Sequence, residues 1–152
     1  MMVPANPTMP KLLAIAKVAA ERGEVPIAAA IVGADGVAVA TYHNEVEQRR
    51  DATAHAELLA IQMACRKLGR KYLEDYTLVV TLEPCAMCAT AAAHAKIGKI
   101  IFGAYDLKGG GVEHGARIFT QPTCHHSPEI IGGVMEAECG ALLTDFFKQR
   151  RG

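Results

Sequence analysis

Apolar residues in this chain gather in short unbroken runs that alternate with longer stretches of helical spacing. The runs at 27–32, 37–41, 77–82 and 97–102 are rich in Val, Ile and Ala and lie between turn or polar residues, so they predict strands, the one at 77–82 buried and rich in β-branched residues. Gly33-Ala34-Asp35-Gly36 between the first two is turn chemistry, which makes that pair a hairpin. Residues 11–22 are Ala-rich and predict a helix closed by Gly23. Over 53–68, Leu58, Ile61, Cys65 and Leu68 form one helical stripe, and Gly69 stops it. Thr53 is the expected N-cap, with His55 and Glu57 in the first turn. Pro84 is expected to open a helix reaching about residue 96, since a first turn has no use for the N–H that proline lacks. Residues 103–128 read as a long irregular segment, with Gly109-Gly110-Gly111 and a short helix near 112–119. Loops of that size in a compact domain are usually functional. Ile130 and Ile131 predict a last short strand, and 134–150 a terminal helix.

The resulting order, α-β-β-α-β-α-β-loop-β-α, predicts a three-layer α/β domain with helices on both faces of one sheet. A length of 152 residues fits a single domain with a real core, spanning 1–152, and 51% hydrophobic residues exclude disorder. With no Trp and few aromatics, that core must be built from Ala, Val, Ile and Leu. Residues 1–10 are Pro-rich and read as a loose N-terminal tail. No apolar run reaches the roughly 20 residues of a membrane span, so no membrane partner is expected. Sixteen basic and sixteen acidic side chains cancel, which does not advertise a nucleic-acid binder, although a local basic patch would suffice for one. Five cysteines, an odd number with no secretory leader before them, point to the cytoplasm and reduced thiols.

Two short motifs carry the chemistry: His55-Ala56-Glu57 and Pro84-Cys85-Ala86-Met87-Cys88. One imidazole and two thiolates give Zn²⁺ three protein ligands and leave the fourth tetrahedral position open, as in catalytic rather than structural zinc sites. Both motifs fall at expected helix starts, where the helix dipole lowers thiol pKa, and i, i+3 spacing puts both sulfurs on one face. Zinc would bring the pKa of a bound water toward roughly 7. Glu57, not itself a ligand, is placed to move protons between that water, a ring nitrogen and a departing amine. H-x-E followed by P-C-x-x-C is the known signature of zinc-dependent nucleobase deaminases, which attack C6 of adenine or C4 of cytosine.

A zinc staple without chemistry would need a fourth Cys or His, for which Cys124, His125 and His126 are the candidates. Such a staple has no need of Glu57. Asn44 has the donors and acceptor to hold a base or ribose, and equally the signature of a turn asparagine holding local backbone.

The strings Thr53-Ala-His-Ala-Glu57, Thr81-Leu-Glu-Pro-Cys-Ala-Met-Cys88 and Phe102-Gly-Ala-Tyr-Asp-Leu-Lys108 resemble the bacterial tRNA-specific adenosine deaminases. Glu24-Val-Pro-Ile27 and Leu142-Leu-Thr-Asp-Phe-Phe147 resemble them too, and the likeness runs from about Lys11 to the end. The resemblance implies a cytidine deaminase-like α/β/α sandwich with a five-stranded mixed sheet, a homodimer with one Zn²⁺ per subunit, and conversion of a tRNA wobble adenosine to inosine. By matching position, His55, Cys85 and Cys88 would hold zinc and Glu57 would shuttle protons. Asn44, Ala56, Pro26 and Ile27 would contact the nucleoside, Asp106 and Lys108 the nucleotides flanking it in the anticodon loop, and Phe147 would wall the pocket. The bases of a single-stranded loop can be splayed out and read, as RNA recognition prefers. Lys108, Lys148, Arg150 and Arg151 are candidate phosphate contacts; for the last three a solvated helix end is the competing reading.

Three positions depart from the common family pattern: Ala28 for Gly, Tyr105 for a polar residue, and His125 for Asn. They leave the metal motif untouched and bear on the pocket walls. The rival functions are a deaminase of free guanine, cytosine or cytidine, which would not need Asp106, Lys108 or a basic tail, and a silent RNA-binding subunit, which would not need Glu57.

Overall fold

The computed structural model describes residues 8–151. In chain order they form α1 (Thr8–Glu21), β1 (Ala28–Val32), β2 (Ala38–His43), α2 (Val46–Arg49), α3 (Ala56–Leu68), β3 (Thr77–Leu82), α4 (Ala86–His94), β4 (Lys99–Ala104), β5 (Glu129–Ile131) and α5 (Glu136–Arg151). All five strands join one sheet in the order β2-β1-β3-β4-β5. β1 is antiparallel to β2 and β3, whereas β3, β4 and β5 run parallel. The sheet is therefore mixed, with its hairpin at one edge and its parallel crossovers at the other.

Alternation along β1 shows why both faces must be covered. Ala29 and Ile31 point to the side of α3 and α4, where they pack with Leu78, Val80, Ile100, Phe102, Ala56, Ala60, Ala64, Ala89 and Ala92. Ala28, Ala30 and Val32 point the other way, into a cluster with Met9, Leu12 and Ala16 of α1 and Cys139 of α5. Every residue of β1 is buried. The abundance of alanine in these layers lets the helices sit close on the strands, and Gly103 leaves room for Cys139 of α5 directly on β4. The three layers expected from the sequence are thus present. No helix among the described residues is long and apolar enough to cross a membrane.

Several boundaries moved. The expected tail at 1–10 lies outside the described residues over 1–7, but Thr8, Met9 and Pro10 begin α1 and Met9 is completely buried. Helix α3 starts at Ala56 rather than Thr53, because the Thr53 N–H and hydroxyl both donate to Asp51 Oδ1, at 2.9 and 2.7 Å, and form a turn instead of a cap. Helix α4 starts at Ala86, two residues after Pro84. The helix expected near 112–119 is reduced to a single 3₁₀ turn at Ile118–Thr120. The short α2 was not anticipated: two of its N–H groups donate to the distant, buried carboxylate of Glu24, which no local pattern reveals.

Candidate active site

His55 and Cys85 occupy equivalent places in the fold. Each is the N-cap of a helix on the same face of the sheet, with extended backbone at φ −75° and −71° respectively. Cys88 is the third residue of α4, and an N-cap side chain naturally converges on the side chain three residues later. Cys85 Sγ and Cys88 Sγ lie 3.6 and 3.7 Å from His55 Nδ1. Zinc bonds of about 2.3 Å to sulfur and about 2.0–2.1 Å to nitrogen place neighbouring tetrahedral donors about 3.5–3.8 Å apart. Both sulfur–nitrogen distances match that spacing, and all three donor atoms lie within 4.8 Å of one another, so the group could hold a metal ion. Among the described residues only these three side chains form such a group.

Cys124 and His126, candidates for a closing ligand, are engaged elsewhere. Cys124 Sγ donates to the carbonyl of His126, and the His126 ring reaches the carbonyl of Ile97 at 2.6 Å. His125 is exposed. These contacts pin the long loop to the start of β4 and leave the site with three donors.

Electrostatics place the negative charge at Cys85 and keep the proton on Cys88. Hydrogen bonding from the Cys88 thiol holds Cys85 down to about 4 against the cost of burial, and the His55 ring adds to the effect. The same interaction with Cys85 raises the pKa of His55. Cys88, sharing its proton with Cys85 and buried, is pushed upward. Glu57 sits in the first turn of α3, only 4% exposed, and burial lifts its carboxyl to about 7, with the charge at Cys85 adding. A carboxyl poised near neutrality can both accept and release a proton.

Asn44 serves the backbone and remains available. It is buried, and its Oδ1 accepts the N–H of Ala56 at 2.9 Å, so it caps α3 from outside the helix. That bond engages the N–H of Ala56, itself fully buried. The Asn44 N–H in turn donates to the carbonyl of Ile27 at 3.0 Å, tying the Pro26–Ile27 segment to the start of α3. Asp106 and Lys108 lie in the loop after β4; Lys108 is exposed, while Asp106 Oδ1 accepts the N–H groups of Lys108 and Gly109. Tyr105 packs edge-on between Phe102 and His114 and covers the loop. On α5, Phe146 is buried and Phe147 is 45% exposed, its ring edge-on to Phe146. Arg150 stacks on Phe146 and donates to the carbonyl of Gly23 at 2.6 Å, so this candidate phosphate contact is bound into the fold. Lys148 is exposed, and the side chain of Arg151 lies outside the described residues.

Sequence reasoning missed Glu83. Its carboxylate is 2% exposed and gathers the N–H groups of Asp106, Val112, Glu113 and His114 together with the His114 ring. Burial opposes its ionisation, but these donors outweigh burial and leave its pKa below the usual carboxylate value. The available signal was an acidic residue ending a buried strand just before a proline.

A profile of the MafB19-like deaminases matches residues 5–151. The tRNA-specific adenosine deaminase of Agrobacterium fabrum is 48% identical over 136 residues, covering 90% of this chain and 89% of that protein. The chain belongs to the tRNA-specific adenosine deaminase family. A chain solved in a study of A-to-I editing by tRNA:A34 deaminases at the wobble position of transfer RNA superposes on this family member with a TM-score of 0.86. It is 47% identical and covers 89% of this chain, which covers 97% of it. A guanine deaminase from Nitrosomonas europaea has a TM-score of 0.80 but 23% identity, over 95% of this chain and 86% of its own, a likeness of fold alone. The deaminase architecture, with its five-stranded mixed sheet, is the one expected from the sequence.

Proposed function

We propose that this chain hydrolyses the exocyclic amine of adenosine at the wobble position of a tRNA anticodon, giving inosine and ammonia. The observation that carries the reading is a His/Cys/Cys group with its donor atoms within 4.8 Å of one another beside a buried carboxyl, in a member of this family. His55, Cys85 and Cys88 would hold one Zn²⁺ per subunit. Zinc, when bound, supplies Lewis acidity that makes hydroxide available near neutral pH.

The chain's own residues do the rest. Glu57 accepts a proton from the attacking water and delivers protons to N1 of the base and to the leaving amine, so water and C6–NH₂ become C6=O and NH₃. Its burial keeps bulk water from competing for those protons. Asn44, with Oδ1 engaged by Ala56, offers its amide N–H₂ to the nucleoside. Pro26, Ile27 and Ala56 form the wall behind it, and Phe147 closes the outer side. Asp106 and Lys108 meet the flanking nucleotides, which in an anticodon loop are unpaired and open to such contacts. The protein acts as a cytoplasmic homodimer, with residues 1–152 forming one deaminase domain.

The test is incubation with tRNA bearing an unmodified wobble adenosine and, separately, with free adenine, guanine, cytidine and adenosine, scoring inosine and ammonia. Inosine in tRNA is the expected product. Ammonia released only from free bases or nucleosides would overturn the tRNA assignment, and silence on every substrate with zinc bound would favour a scaffold.

A further inference from the structure

We infer that Glu83, through His114, is a positioning residue for RNA binding, one that fixes the loop carrying Asp106 and Lys108 onto the Cys85 motif. The inference rests on the tRNA reading above and adds to it a residue outside the matched site positions.

The loop after β4 has little regular structure, yet one carboxylate binds it at two points, Asp106 and residues 112–114. Glu83 Oε1 accepts the Asp106 N–H at 3.0 Å and meets His114 Nδ1 at 2.8 Å. Glu83 Oε2 accepts the N–H groups of Val112, Glu113 and His114 at 3.2, 2.9 and 3.1 Å. The residues between are thereby drawn into a closed hoop, further held by the Gly110 N–H on the Asp106 carbonyl and the Gly111 N–H on the Pro84 carbonyl. Gly110 and Gly111 are pressed against the anchor. A Cβ at Gly110 would lie 2.6 Å from the Glu83 carboxyl, and one at Gly111 would lie 2.5 Å from the Ala86 nitrogen. The inside of the hoop is thus carboxylate and glycine. The outside presents Leu107, 75% exposed, next to exposed Lys108. An apolar side chain beside a cation on a fixed backbone suits an unstacked base and its phosphate.

Neither Glu83 nor His114 is among the proposed metal ligands or proton carriers, which sit on the N-termini of α3 and α4. Loss of the hoop should therefore weaken the grip on RNA equally in the ground and transition states, raising KM more than it lowers kcat. The imidazole of His114 adds one donor to the carboxylate, and an asparagine amide can replace that donor where an alanine cannot.

The experiment compares wild type, E83Q, H114A and H114N on an anticodon stem-loop RNA, with zinc content and amide hydrogen exchange measured on each. Expected for E83Q are zinc bound as in wild type, faster exchange at Val112, Glu113 and His114, and KM raised at least about 10-fold with kcat within about 3-fold. H114A should show a smaller rise in KM, which H114N restores. Unchanged KM in E83Q, or a fall in kcat at constant KM, would overturn the inference while the wild-type activity stands. If E83Q does not fold, an unchanged KM in H114A, or one not restored in H114N, overturns it. Silence of the wild type on the stem-loop would overturn the functional reading and this inference with it.

Discussion

The helix starts that carry His55, Cys85 and Cys88 and the loop that follows β4 solve the same problem, holding polar groups in a fixed place, by opposite means. Between Cys85 and Cys88 the constraint is local, whereas His55 joins them through the fold. An N-cap and the third helical residue are neighbours by the geometry of any helix, so Cys85 and Cys88 converge by spacing alone. The loop has no repeating hydrogen bonds of its own, and the largest share of the bonds that hold its first part comes from one carboxylate, Glu83, just after β3. Short-range order survives most substitutions nearby, whereas order borrowed through a single distant group is lost with that group.

The largest expected effect falls on Glu57, the proposed proton carrier. E57Q should lower kcat by about 10²–10⁴-fold while zinc content by elemental analysis stays as in wild type. Substantial turnover by E57Q would remove Glu57 from the mechanism. C88S should lower zinc affinity along with activity, and zinc titration against a competing chelator should show that the two losses run in parallel. Asn44→Ala removes the acceptor for the Ala56 N–H and should cost about 1–3 kcal/mol in stability, read by denaturant unfolding. Asn44→Asp keeps that acceptor, so it should recover stability but not activity, which separates the cap from the substrate contact. Gly111→Ala places a methyl against Ala86 where the loop meets α4 and should cost about 1–3 kcal/mol, seen as a lower Tm. The smallest effect belongs to Arg150→Ala, which frees the end of α5 from Gly23 for about 0.5–1.5 kcal/mol, detectable as faster amide exchange in the last turn of α5.

Much of the fold was legible because its signals are local. Continuous apolar runs marked the largely buried strands β1, β3 and β4, while the edge strands β2 and β5 keep exposed positions, and Gly23 and Gly69 marked the helix ends. The start of α3 was misread because Thr53 has two acceptable partners in sequence terms, a helix N-terminus or the carboxylate of Asp51, and only the folded backbone selects Asp51. Asn44 was equally open between capping and substrate contact; the structure gives it the capping bond and leaves its amide donors for the second role. Phe146 and Phe147 are indistinguishable in sequence, and the packing of α5 buries the first and exposes the second.

By itself the sequence determined the strand and helix layers and the two short motifs, His55-Ala56-Glu57 and Cys85 to Cys88, because periodicity and short spacing act within a few residues. Only the tertiary structure decided that Glu24 holds α2, that Glu83 holds the loop, and that Cys124 and His126 belong to the loop rather than the metal. A buried carboxylate must find donors wherever the fold brings them. For Glu24 and Glu83 those donors lie more than twenty residues away along the chain, at separations no sequence pattern encodes.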